Sequence, residues 1–86
     1  MNLRDLQYVV AASDLLHFGR AAEACGVSQS TLSAQIAKLE DEIGVRIFVR
    51  EGRTIRLSAR GRPVVEAARK ALAAAESVPA VARASR

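Results

Sequence analysis

Gln29, Ser30, Thr31, Ser33 and Gln35 put five uncharged hydrogen-bonding side chains into seven consecutive positions, and Lys38 follows them. Amides and hydroxyls at this density suit a nucleic-acid surface. A glutamine can pair with adenine N6 and N7, and hydroxyls can bond phosphate oxygens or base edges. A second set is cationic: Arg50, Arg53 and Arg56 place three guanidiniums within seven residues, and Arg20 lies upstream. Arg53, beside Gly52, is placed to reach a minor groove or a flanking phosphate. The competing reading is that charge on an exposed strand edge merely suppresses aggregation. Catalytic chemistry finds little support. His17 stands alone, Cys25 has no base beside it, no glycine-rich loop follows a strand, and Glu40, Asp41 and Glu42 are consecutive and face different ways. No enzyme activity, metal or cofactor is expected, and His17 reads as a helix-start or packing residue.

These side chains can act together only if the fold gathers them on one surface. Asn2 followed by Asp5 resembles a capping box, and Leu3, Leu6, Val9 and Val10 recur at helical spacing, so a first helix is expected from Leu3 to Ser13. Asp14 to His17 reads as a connector. Phe18, Ala21, Ala22 and Cys25 mark one face of a short second helix that Gly26 can end in a left-handed conformation. Ser28 can cap a third helix with Leu32, Ile36, Leu39 and Ile43 on its buried stripe, and Gly44 is its stop. Two amphipathic helices joined by Gly26-Val27-Ser28 are how a recognition helix is held for insertion into a DNA groove.

The period then becomes alternating. Ile47 to Arg50 and Thr54 to Leu57 read as two short strands joined by Glu51-Gly52-Arg53, which makes a wing. Ser58 can cap a final alanine-rich helix from about Ala59 to Ser77, with Pro79 opening a small, polar, flexible tail. Pro63 sits awkwardly near its first turn, where it removes a backbone donor and can bend the helix or delay its start. The expected fold is mainly α: a winged helix-turn-helix over 1–58, a linker and dimerisation helix over 59–78, and a tail over 79–86.

With Leu32 at the centre of the buried stripe, the opposite face of the third helix carries Ser30, Ala34, Ala37, Lys38 and Asp41, flanked by Thr31 and Ser33. Small residues there let the helix approach base edges. From Ser28 to Leu39 the only charge is Lys38, after which Glu40, Asp41 and Glu42 follow at the end where the helix macrodipole disfavours acids. Either the acids mark the end turned away from DNA, or they pair with Arg46 or other basic residues of the fold. Both readings are compatible with the order of residues.

The chain has 86 residues, a formal charge of +4 and a pI near 10.2, which favours a polyanion without identifying it. A domain of this size buries roughly 60–65% of its unfolded surface, so its core is thin and association with a second copy is expected. The last helix offers two seams, Val64, Ala68, Ala71, Ala75, Val78 and Val65, Ala68, Leu72, Ala75, suited either to a dimer or to packing on the first helix. One cysteine excludes a disulfide within this sequence, and a reducing, cytoplasmic compartment fits. No run approaches the ~18 apolar residues needed to span a bilayer, so no membrane partner is expected.

The segments LRDLQYVVAAS, HFGRAAEACGVSQSTLSAQIAKLEDEIGVRIFVR and LSARG resemble the winged helix-turn-helix domain of the LysR-type transcriptional regulators, from Met1 to about Leu72. HFGRAAEAC together with VSQSTLSAQIAKLEDEIG is more similar to the family's peroxide-responsive OxyR branch than to an average member. The resemblance implies a sequence-specific regulator that binds dyad sites on double-stranded DNA as a dimer or tetramer. Gln29, Ser30, Thr31 and Ser33 then fall on the family's contacting stretch, Gln35 and Lys38 lie further along it, and Arg53 occupies the wing tip. Two departures stand out: Ser30 replaces the family's usual proline, and Pro63 is unusual. The effector-binding domain that the family carries is expected in the same regulator but lies outside this sequence. Two other readings remain open, a winged helix serving as a protein-docking and oligomerisation module, and a redox switch at Cys25.

Overall fold

The structure, a computed structural model, describes residues 1–52 and 54–85. In chain order it contains α1 (Leu3–Leu15), α2 (Phe18–Cys25), α3 (Gln29–Ile43), β1 (Phe48–Glu51), β2 (Thr54–Leu57) and α4 (Gly61–Ala84). The two strands form an antiparallel hairpin that pairs Phe48 with Leu57, Val49 with Arg56, Arg50 with Ile55 and Glu51 with Thr54. Leu32, Ile36, Leu39, Ile47 and Val9 are the largest side chains sealed from water, so the stripe of α3 is the middle of the core. Ile43, the last member of that expected stripe, lies at its rim and is exposed.

The helix starts follow from local capping. Asn2 Oδ1 accepts from the Asp5 N–H at 2.8 Å, and Ser28 Oγ accepts from the Thr31 N–H at 3.1 Å. His17 is the start residue of α2, its Nδ1 accepting from the Arg20 N–H at 3.0 Å. Gly26 and Gly44 close α2 and α3 at φ 70° and 72°, a conformation that costs glycine nothing. Because the His17 ring supplies one of the orphan donors of α2 with its partner, His17→Ala is expected to cost about 1 kcal/mol of stability, while His17→Asn keeps the cap. Chemical denaturation of the three proteins checks this, and equal midpoints for all of them would remove the role.

Three expected boundaries shift. First, α1 runs through Asp14 and Leu15 and closes on Leu16 in a left-handed conformation (φ 50°), its N–H donating to Ala12 O at 2.8 Å. A non-glycine residue there is strained by about 1–2 kcal/mol. The connector is tied down by the fold, since Leu16 O accepts from the Ile55 N–H of β2 at 3.3 Å. Second, β1 lies one residue later than the alternation suggests.

Third, α4 starts at Gly61, not Ala59, and continues through Pro79 to Ala84, so the tail expected from 79 is helical up to that residue. Ser58 still serves the start: its Oγ accepts from the Gly61 N–H at 2.9 Å and donates to Arg46 O at 2.6 Å. Pro63 is the third residue of this helix, where the missing N–H would have had no intrahelical partner, so the first turn, which begins two residues after the start expected at Ala59, accepts it. Pro79 sits in a fully exposed stretch of the same helix, with Ser77 Oγ donating to Ala74 O one turn earlier at 2.6 Å.

The first turns of α4 are fixed against the body. Val65 and Ala68 are buried in the monomer, and Arg69 pairs with Asp14 of α1, which raises the Arg69 pKa further above its ordinary value. Packing against α1 therefore accounts for Val65 and Ala68, which present no free surface to a second copy. Val64, Ala71, Leu72 and Ala75 are half-buried, and Val78 and Val81 are exposed. No helix of the described residues is long and apolar enough to cross a membrane.

Candidate nucleic-acid interface

Gln29, Ser30 and Thr31 form the leading turn of α3 and are all exposed. Ser28, as the cap, is exposed too; its Oγ donates to Thr31 Oγ1 at 2.9 Å and lies 3.1 Å from Ser30 Oγ. Three hydroxyls thus cluster at the positive end of a helix whose Gln29 and Ser30 N–H groups have no partner within the helix, an arrangement that favours approach of an anion. Ser33 lies half-buried one turn on. Gln35 is half-buried and Lys38 exposed. Of the expected contacting side chains of α3, Gln29, Ser30 and Thr31 form the forward tip, Ser33 lies at its flank, and Gln35 and Lys38 sit further back.

A hollow of about 410 Å³ joins that tip to the wing, lined on one side by His17, Phe18, Gly19 and Gln29 and on the other by Arg50 and Thr54. The Arg50 guanidinium stands 4.8 Å above the Phe18 ring, and Phe18 meets Phe48 edge to face at 5.7 Å. These contacts fasten the wing to the start of α2 and aim Arg50 into the hollow beside Gln29. Arg20 is exposed on the first turn of α2.

The three wing arginines do not act as one set. Residues paired across the hairpin share a face, so Arg50 lies with Ile55 and Phe48 on the inner side, whereas Arg56 lies with Val49 and Glu51 on the outer side. Arg56 is ion-paired with Glu51, which reduces its charge toward a phosphate. Arg53 lies outside the described residues.

The acidic run resolves into separate roles. Glu40 is buried, 7% exposed, and its Oε2 accepts from the backbone N–H of Ile47 at 2.7 Å and of Phe48 at 3.2 Å. Its Oε1 lies 3.7 Å from Arg46 Nη1. Glu42 accepts from the amino terminus at 2.8 Å, and that ammonium holds its carboxyl below the usual carboxylate range. The tie between the amino terminus and α3 is therefore present above the ordinary carboxylate range and lost as pH falls through the lowered value. Pairing within the fold thus accounts for two of the three acids. Glu40 was missed as a structural hub because nothing local distinguishes it from Asp41 and Glu42.

A second fastening converges on the same place. Ile47, fully buried, donates its N–H to Glu40 and accepts through its carbonyl from the Ser58 N–H at 2.9 Å. Gly61 packs on that peptide so closely that a Cβ would lie 2.5 Å from Ile47 O. The backbone at Ile47 is the joint where α3, the wing and α4 meet.

Comparison with known proteins sets these observations in a family. The family model "Bacterial regulatory helix-turn-helix protein, lysR family" matches residues 3–62. The Haemophilus influenzae hydrogen peroxide-inducible genes activator is 50% identical over 72 residues, covering 84% of this chain and 24% of the relative. Full-length OxyR from Pseudomonas aeruginosa superposes with a TM-score of 0.90 at 46% identity, covering 98% of this chain and 28% of that one. The CbnR DNA-binding domain in complex with DNA superposes with a TM-score of 0.93 at 33% identity, covering 99% and 98%. The chain therefore spans about a quarter of the length of the peroxide-inducible activator it resembles.

Proposed function

Since this chain belongs to the LysR family of bacterial regulatory helix-turn-helix proteins, we propose that it is the DNA-binding portion of an OxyR-like transcription regulator, acting in the cytoplasm on a dyad site in double-stranded DNA. The leading turn of α3 enters the major groove, with Gln29, Ser30, Thr31 and Ser33 toward base edges and phosphates. Arg50 and Arg53 of the wing, and Arg20 of α2, serve the sugar-phosphate backbone. The observation that carries this reading is the shared hollow: an exposed, carboxylate-free helix tip and a guanidinium from the wing open onto the same space. A protein-docking surface has no need of such a match between a helix tip and a cation. Likeness to a domain solved on DNA supports the same reading.

The remaining apolar surface supports a dimer. Met1, Leu6, Leu39, Ile43, Val64 and Ala71 border a shallow apolar groove beside α4. Of the expected seams, Val64, Ala71, Leu72, Ala75 and Val78 are the residues with area left to offer a second copy, as a dimer or as a pair of dimers. Sensing belongs to the effector-binding domain expected elsewhere in the same regulator.

Selection of bound sites from a random duplex pool tests the function, with a dyad consensus as the expected result and no enrichment as the contrary one. Within the selected site, Gln29→Ala is expected to relax discrimination at one base pair by roughly 1–3 kcal/mol while leaving affinity for random duplex nearly unchanged. Equal losses on selected and random duplexes would refute base reading by Gln29.

A further inference from the structure

We propose that the hollow at the far end of α2, bounded by Arg4, Gln7, Tyr8 and Cys25, seats a second backbone phosphate of the bound duplex, on the opposite side of the recognition tip from the wing. The inference rests on the duplex-binding reading above and assigns a role to residues that reading leaves unused.

Arg4, Gln7 and Tyr8 stand three and four positions apart on α1, so they share one face, and that face looks across about 470 Å³ of space toward the end of α2 and Val27. Tyr8 is 4% exposed, and its hydroxyl has no hydrogen-bond partner among the described residues. No buried side-chain oxygen is left unsatisfied among the described residues, so the hydroxyl keeps some access to solvent, and Tyr8 lines this hollow. A phenol so deeply set normally finds a partner. Arg4 is exposed and makes no ion pair among the described residues. A free guanidinium, a primary amide and an unpartnered hydroxyl around one space are the donors that a phosphate accepts from.

The spacing agrees with a duplex. The wing hollow takes His17, Phe18 and Gly19 from the start of α2, and this one takes Ala24, Cys25 and Gly26 from its end. The middles of these two stretches, Phe18 and Cys25, are the two ends of α2, so at a rise of about 1.5 Å per residue the hollows stand about 10 Å apart along the helix axis, close to the width of the groove. The major groove of B-DNA is about 12 Å wide. Helix α2 therefore lies across the mouth of the groove with a basic hollow over each phosphate ridge, and the tip of α3, which follows directly, enters between them.

Cys25, half-buried and free, is a reporter already in place. Labelling of its thiol with a maleimide is measured alone, with saturating selected duplex, and with inorganic phosphate at matched ionic strength. Duplex is expected to slow labelling at least tenfold and inorganic phosphate to leave it unchanged. Arg4→Ala is expected to weaken random and selected duplexes alike by about tenfold and to lower the salt slope by about one. Tyr8→Phe is expected to weaken binding severalfold with no loss of melting temperature, a separation that a packing role would not produce. Unprotected Cys25 with an unaltered salt slope for Arg4→Ala overturns this seat while leaving duplex binding intact. Protection by inorganic phosphate alone also overturns it, and a wild-type chain that binds no duplex sinks both readings.

Discussion

Glu40→Ala is expected to lower the stability of the domain by about 3–5 kcal/mol, because it leaves the Ile47 and Phe48 N–H groups buried without an acceptor. Each orphaned donor costs about 1–3 kcal/mol, and the cavity left by the side chain offers water only partial access. The Arg46 pair contributes little, since the Arg46 side chain is 73% exposed and solvent screens it. Arg46→Ala should therefore cost less than 1 kcal/mol. Glu40→Gln keeps an oxygen for the two N–H groups and should lose a fraction of what alanine loses. Against a net stability of about 5–15 kcal/mol for a domain, the alanine variant gives up a large share. Urea or guanidinium titrations of the three variants measure it, and a Glu40→Ala protein within 1 kcal/mol of wild type would show that the two donors find other partners.

Gly61→Ala is expected to be destabilising by about 1–3 kcal/mol or more, although alanine is the better helix former. The added Cβ would meet Ile47 O at 2.5 Å and Ile47 Cα at 2.8 Å. Those atoms belong to the backbone that Glu40 and Ser58 hold from either side, so the peptide before β1 cannot yield as a flexible side chain could. The glycine is there for close approach and not for a left-handed conformation, which it does not adopt. At about 4–8 °C per kcal/mol for a domain of this size, the melting temperature should fall by about 10 °C. An unchanged or raised melting temperature would mean that α4 can stand off from Ile47 at no cost. Combining Gly61→Ala with Glu40→Gln should give less than the sum of the two losses, because both act through one peptide.

The two variants also separate stability from recognition. Both disturb the joint that sets the wing against α3, while the exposed tip at Gln29, Ser30 and Thr31 has its own cap at Ser28. Where a destabilised variant remains folded, loss of duplex affinity would then report the displaced wing, and retained affinity would show that the tip carries binding without it.

Much of this was legible because it is local. The caps at Asn2 and Ser28, the closures at Gly26 and Gly44, and the stripe Leu32, Ile36, Leu39 each depend on residues within about one turn of helix, so residue type and spacing suffice. Leu16 was not legible. Its left-handed turn has no glycine to announce it and is held by a bond to Ile55, nearly forty residues away. The tail was misread for the converse reason: Pro79 is a strong local signal, yet α4 passes through it in a stretch where every neighbouring residue is exposed. The seam along α4 was ambiguous because alanine and valine suit a neighbour of the same chain as well as a second copy. Burial of Val65 and Ala68 assigns those two to the monomer.

The order of residues by itself determined the helix-turn-helix, the hairpin after it and the uncharged leading turn of α3, since each is written in capping, period and composition over short stretches; the family was legible only as a resemblance of whole segments, which the family match over residues 3–62 bears out. Only the tertiary structure decided that Glu40 is a joint and not a repelled acid, that Arg50 and Arg56 face apart, and that two basic hollows flank α2. The reason is physical: a carboxylate beside open backbone donors and a carboxylate in water have the same neighbours along the chain. They differ only in what folding brings to them from seven or more residues away.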